Sequence, residues 1–210
     1  MLKIECYTVG ILKTNCYIIE DLDTGNLAII DAGSTSKDLN KKVAEYKDRI
    51  KYIILTHGHF DHIKAVGEYK KLTKAQIVAC KCEKDVILDP KLNLSARYVR
   101  KGLDNFEVDI WLNDLDTIML GETEIKLIYT PGHTQGSCCY IAAKNIFSGD
   151  TLFKEEIGRT DLATGNYEDI LKSLKKLYNL RGEYKVYPGH GEETTLEFER
   201  KNNKYFQDQV

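Results

Sequence analysis

The chain has 210 residues, 42% hydrophobic and 30% charged, with 30 basic against 32 acidic side chains and a net charge of −2. That is an ordinary globular composition with enough chain for one sizeable core. The near-balance of charge argues against a general nucleic-acid binder, which needs a basic excess, and no apolar run reaches the ~18 residues of a membrane span.

The opening MLKIECYTVG lacks a basic stretch followed by an apolar run, so no secretory leader is expected and a cytoplasmic location is. Strands rich in β-branched and apolar residues are expected at 3–9, 15–20 and 27–31, with a Gly25-Asn26 turn between the last two. The period then changes: Leu39, Val43, Tyr46 and Ile50 recur at helical spacing, which predicts a helix over 36–48. A strand at 52–56 leads into the polar loop His57-Gly58-His59-Phe60-Asp61-His62, followed by a helix at 63–72 and a strand at 76–79. Residues 85–115, with Pro90 and the basic Arg97, Arg100 and Lys101, read as a long connection with a helical turn or two.

Strands resume at 124–129, 137–143 and 145–147. The strongest helix is 166–180, where Tyr167, Ile170, Leu171, Leu174, Leu177 and Tyr178 share a stripe and Asn166 can cap the N-terminus. A last strand at 185–187 and a last helix at 194–206 complete the pattern. No linker or low-complexity tract divides it. Residues 1–210 are therefore expected to be one domain of two packed sheets with helices outside. The six cysteines, at 6, 16, 80, 82, 138 and 139, show no metal-knuckle spacing and read as reduced structural thiols.

The chemistry concentrates on the histidines. His57, His59, Asp61 and His62 crowd one loop. In extended backbone 57, 59 and 61 point one way, whereas His62 points elsewhere and could serve a second metal. His133 and His190 each follow a Pro-Gly pair directly after a strand, and Asp150 closes another strand. All five histidines thus sit at expected strand ends and none on a helix face. Five imidazoles and two carboxylates exceed what one tetrahedral zinc accommodates. They suit two divalent ions about 3.5–4 Å apart. His57, His59 and His133 would make one site; Asp61, His62 and His190 the other; Asp150 would stand between. A shared water with its pKa lowered to about 7 would be the nucleophile, a metal-bridging hydroxide. Zinc is the first expectation, and iron or manganese suits the same ligands.

THGHFDH, PGHT, GD and PGHG, in this order, resemble the metallo-β-lactamase superfamily. The resemblance implies a four-layer αββα sandwich with a dinuclear site at one edge, and Asp31 buttressing the ligand loop rather than ligating. Within the superfamily the chain looks most like the short bacterial glyoxalase II-like hydrolases, in which Asp150 matches the bridging carboxylate. True β-lactamases lack that Asp, which disfavours antibiotic hydrolysis. The 20 residues after His190 leave no room for a separate glutathione-binding helical domain. The resemblance implies hydrolysis of a small thioester or related thiol compound, with no nucleic-acid or membrane partner. Asp61 would be both ligand and the residue that orients the nucleophile. Gly158-Arg159-Thr160-Asp161 also resembles the persulfide dioxygenases, whose single iron would here be held by His57, His133 and Asp150. A non-catalytic metal-binding module is disfavoured, because structural metal sites are closed. Arg159 could bind a substrate carboxylate, or form a structural ion pair with a nearby acid, which is the favoured expectation.

Overall fold

The structure, a computed structural model, describes residues 1–207. The first half runs β1 (Leu2–Val9), β2 (Thr14–Asp21), β3 (Leu27–Ile30), α1 (Lys37–Tyr46), β4 (Ile50–Leu55), α2 (Phe60–Ile63), α3 (Val66–Thr73), β5 (Gln76–Cys80), α4 (Lys84–Leu88), α5 (Ser95–Tyr98) and β6 (Ile110–Leu112). The second runs β7 (Thr117–Leu120), β8 (Thr123–Tyr129), β9 (Cys138–Ala142), β10 (Asn145–Gly149), α6 (Tyr167–Tyr178), β11 (Lys185–Pro188), β12 (Thr194–Thr195), α7 (Leu196–Asn202) and α8 (Lys204–Gln207). Each half supplies one six-stranded sheet, ordered β1-β2-β3-β4-β5-β6 and β12-β11-β10-β9-β8-β7.

Alternation along the strands builds the layers. In β2, Cys16 and Ile18 belong to the helix-side cluster, with α1 and α3 residues, and Tyr17 and Ile19 to the cluster between the sheets. In β4, Ile53 and Leu55 face the helices and Ile54 the other sheet. The second sheet repeats the scheme: Cys139, Ile146 and Val186 pack with Leu174 and Leu177 of α6, while Cys138, Tyr140 and Phe147 face inward. The result is a four-layer αββα sandwich forming a single domain. The adjacent cysteines 138 and 139 are therefore two ordinary core residues on opposite faces of one strand, and all six cysteines are unpaired.

Strand direction places the site. β3 and β4 run parallel, and so do β10 and β11. β8 is antiparallel to β9, which is antiparallel to β10, so β8 runs with β10. The C-terminal ends of these five strands meet at one edge, where the backbone amide of Cys138 donates to Thr56 O across the sheets at 3.0 Å.

Three expectations are corrected. The stretch 85–115 is not a plain connection, because it holds α4 at its start, α5 and the edge strand β6. Strand β7, with no counterpart in the sequence reading, pairs antiparallel with β8. The last helix does not run unbroken from 194: Thr194 and Thr195 pair with β11, and the chain leaves the helix at Asn203, where φ is −78° and ψ 116°. Asn166 caps α6 as expected, accepting from the Asp169 amide at 3.1 Å. Among the described residues no helix is long and apolar enough to cross a membrane.

Candidate metal centre

β4 ends at Leu55, and the next residues carry the first candidate ligands. Thr56 is pinned by Asp31, whose Oδ1 accepts the Thr56 amide at 2.8 Å and whose Oδ2 accepts the Thr56 hydroxyl at 2.6 Å. The extended backbone expected through 57–61 stops at His59. α2 begins at Phe60, with the His62 amide donating to His59 O at 2.9 Å. This turn sends Asp61 away from His57 and His59 and towards His62, and it places His62 on a helix rather than at a strand end.

The side chains gather in two groups. His57, His59 and His133 converge, and so do Asp61, His62 and His190; within each group the candidate ligand atoms lie within 4.8 Å of one another. In the first, His59 Nδ1 stands 2.9 Å from His133 Nε2. In the second, His190 Nε2 lies 3.3 Å from both His62 Nε2 and Asp61 Oδ2. Asp150 touches both groups: its Oδ2 is 3.5 Å from His133 Nε2 and from His190 Nε2, and its Oδ1 is 3.4 Å from His62 Nε2. Gly189 makes that approach feasible, since a Cβ there would run into Asp150 Oδ1 and stand 2.7 Å from His62 Cε1.

Asp31, His57 and His62 also lie close enough to count as a third cluster. Hydrogen bonding explains it without a metal. Both Asp31 oxygens are engaged by Thr56, and Oδ2 also takes the His62 Nδ1 proton at 2.9 Å. That proton leaves His62 Nε2 free to ligate. Backbone carbonyls do the same elsewhere: Arg159 O takes the His133 Nδ1 proton at 2.8 Å and Leu12 O that of His190 Nδ1 at 3.1 Å.

The electrostatics suit cations. Burial, and then the neighbouring imidazoles, push His57 far down and His59 down to about 3. Burial also lowers His133, against the pull of Asp150. Each of these shifts favours the neutral imidazole, the form that binds metal. Around His62 burial is outweighed by Asp61, Asp150 and Asp31, which raise it to about 10. Burial resists ionisation of Asp61, yet His62 and His190 hold its carboxyl well below the usual range. His57 Nε2, His59 Nε2 and Asp150 Oδ1 are buried without a hydrogen-bond partner among the described residues. Buried polar atoms rarely stay unpaired, and a donor set of imidazoles and carboxylates fits divalent ions.

Three supporting residues escaped the sequence reading. Thr14 donates from its hydroxyl to Asp61 Oδ2 at 2.9 Å. Asn15 Nδ2 donates to Pro188 O and Gly191 O at 3.1 and 2.9 Å, gripping the turn that carries His190. Buried Glu83 ties the two histidine loops together: Oε1 accepts the Gly58 amide at 2.7 Å and Oε2 the Thr134 hydroxyl at 2.9 Å. Burial pushes Glu83 up to about 8 against these donors. A polar residue inside an apolar strand was the one signal for Asn15; Glu83 had none.

Over the two groups opens a cleft of about 550 Å³, lined by His59, Asp61, His133, Asp150 and His190 among others. The model of the metallo-beta-lactamase superfamily matches residues 9–190. The chain belongs to that superfamily. A relative from Haemophilus influenzae, hydroxyacylglutathione hydrolase GloC, is 34% identical over 209 residues, covering 97% of this chain and 98% of that protein. Among solved structures the superfamily chain resembles BLEG-1, described as a B3 metallo-beta-lactamase, at 30% identity and a TM-score of 0.88, covering 97% of this chain and 99% of that one. It also resembles TTHA1623 in a di-iron-bound form, at 28% identity and a TM-score of 0.82, covering 96% and 99%.

Proposed function

We propose that this superfamily member is a dinuclear metal hydrolase that cleaves thioesters. The observation that carries the reading is Asp150, within 3.5 Å of His133 in one group and of His190 in the other. On this reading His57, His59 and His133 hold one ion, Asp61, His62 and His190 the other, and Asp150 serves both. Zinc is the first choice of metal, and the likeness to the di-iron form of TTHA1623 supports iron as the second. Two such ions, when bound, would supply Lewis acidity towards a carbonyl and would lower the pKa of water towards neutrality.

The chain's own residues set the geometry. Asp31, Arg159 O and Leu12 O fix the protons of three imidazoles on Nδ1, so that each Nε2 is aimed inward. Thr14 holds Asp61 Oδ2, and the second carboxylate oxygen of Asp61 is assigned to orienting the attacking water. The apolar side chains of the cleft limit bulk water around the reacting carbonyl. The likeness to GloC supports a thioester substrate. Six unpaired cysteines support a reducing, cytoplasmic setting.

Zinc-loaded protein should release thiol from thioesters, lose that activity to a chelator, and lose it with Asp150→Ala. A single tightly held iron per chain, with oxygen uptake on a persulfide and no thioester cleavage, would overturn the reading. The likeness to BLEG-1 favours a second reading, β-lactam hydrolysis at the same centre, which ring opening of a penicillin would reveal.

A further inference from the structure

Besides candidate ligands, the cleft is lined by apolar and aromatic side chains with one exception, Arg159. Ile11 and Leu12 come from the β1–β2 turn, Leu94 and Tyr98 from the α5 region, and Ile157 and Leu162 from the segment around Arg159. Ile11 is 88% exposed and Tyr98 52%, so the mouth of the cleft presents apolar surface to water. Covering such surface with an apolar group yields about 25 cal/mol per Å².

Arg159 forks onto Asp161, Nε to Oδ1 and Nη2 to Oδ2, both at 2.7 Å. This is the structural ion pair expected from the sequence, but its side chains are 62% and 67% exposed, and pairs in water add little. An incoming carboxylate can take the place of Asp161 on the guanidinium at small cost. The main chain of Arg159 is bonded to His133 through its carbonyl, which keeps the cation beside the metal centre. Among the described residues lining the cleft there is no second arginine or lysine, and the only carboxylates are Asp61 and Asp150. Glutathione, with two carboxylates and an ammonium group, would find one guanidinium along that lining for its two carboxylates.

We propose that the substrate is a monoanionic, amphipathic acyl compound: its apolar body lies against Ile11, Leu12, Leu94 and Tyr98, and its one carboxylate displaces Asp161 on Arg159. For the reaction this rests on the hydrolase reading above; for the binding it does not. The test compares, on zinc-loaded protein, the phenylacetyl thioesters of mercaptopropionate (one carboxylate) and of N-acetylcysteamine (no charge) with S-lactoylglutathione. The mercaptopropionate ester should have the highest kcat/KM. Arg159→Met should raise its KM about fivefold, as loss of one exposed charge-assisted contact does, and leave the KM of the uncharged ester in place. Leu94→Asn should raise the KM of both phenylacetyl esters. Calorimetry with phenylpropionate reads the binding without turnover, and Arg159→Met should weaken it by a similar factor.

Higher kcat/KM on S-lactoylglutathione than on the apolar esters, or phenylpropionate binding unchanged by Arg159→Met, would overturn the proposal. No thiol release, together with Arg159-dependent phenylpropionate binding, would reject the thioester chemistry while upholding the assignment of the cleft. Ring opening of benzylpenicillin, also apolar and monoanionic, would then identify the carbonyl as a lactam.

Discussion

His62 Nδ1 lies 2.9 Å from Asp31 Oδ2, both side chains buried, and that contact leaves His62 Nε2 facing Asp61, Asp150 and His190. Asp31 sits in the left-handed region at φ 54°, which an Asn tolerates well. In Asp31→Asn the fold should persist. One orientation of the amide sets its NH₂ against the His62 proton, and the other sets it against the Thr56 amide. His62 therefore loses its fixed tautomer. Competition titration with zinc should show the weaker-held ion bound about 10–100-fold less tightly, and the metal-free protein, left with one buried donor facing another, should lose about 1–3 kcal/mol of stability.

Glu83 predicts a pH signature. Its carboxyl is raised from an ordinary 4.5 to about 8 by burial, so the folded chain holds this proton more tightly than the unfolded one. The stability it contributes is full below about 4.5 and is lost as pH rises through about 8. Glu83→Gln, a mimic of the protonated form, removes that dependence. Urea unfolding of the metal-free proteins should show the wild type losing stability relative to Glu83→Gln across this window and running parallel to it above. Glu83→Ala strands the Gly58 amide and should cost about 1–3 kcal/mol.

Gly189→Ala drives a methyl group into Asp150 Oδ1 and His62. Asp150 must move, and with it the contact between the two groups. The variant should bind fewer ions per chain by elemental analysis, with a folding cost of about 1–3 kcal/mol from overpacking.

The α6 cap is remote from the chemistry. Asn166→Ala removes the bond to the Asp169 amide and should cost about 1 kcal/mol, read as a melting point lower by about 2–4 °C. Metal content and activity should not change.

The side chains that gather at the edge were legible because they lie in short local motifs, most of them directly after strands. Periodicity located α6 and its cap for the same reason. What stayed hidden depends on partners far along the chain. The Asn15 grip on the His190 turn spans 173 and 176 residues, and Glu83 acts through Gly58 and Thr134. The short strands β6 and β12, of 3 and 2 residues, exist only through their neighbours' hydrogen bonds. The helical turn at Phe60 was missed because alternation was read into a loop whose Phe60 amide is held by Asn93 O at 2.8 Å, a contact no local pattern announces.

Whether two ions share Asp150 is read by elemental analysis of zinc-saturated, gel-filtered protein, wild type beside Asp150→Ala. Two ions per chain are expected for the wild type and at most one for the variant. One ion per chain in the wild type, or two retained after loss of Asp150, would contradict that sharing.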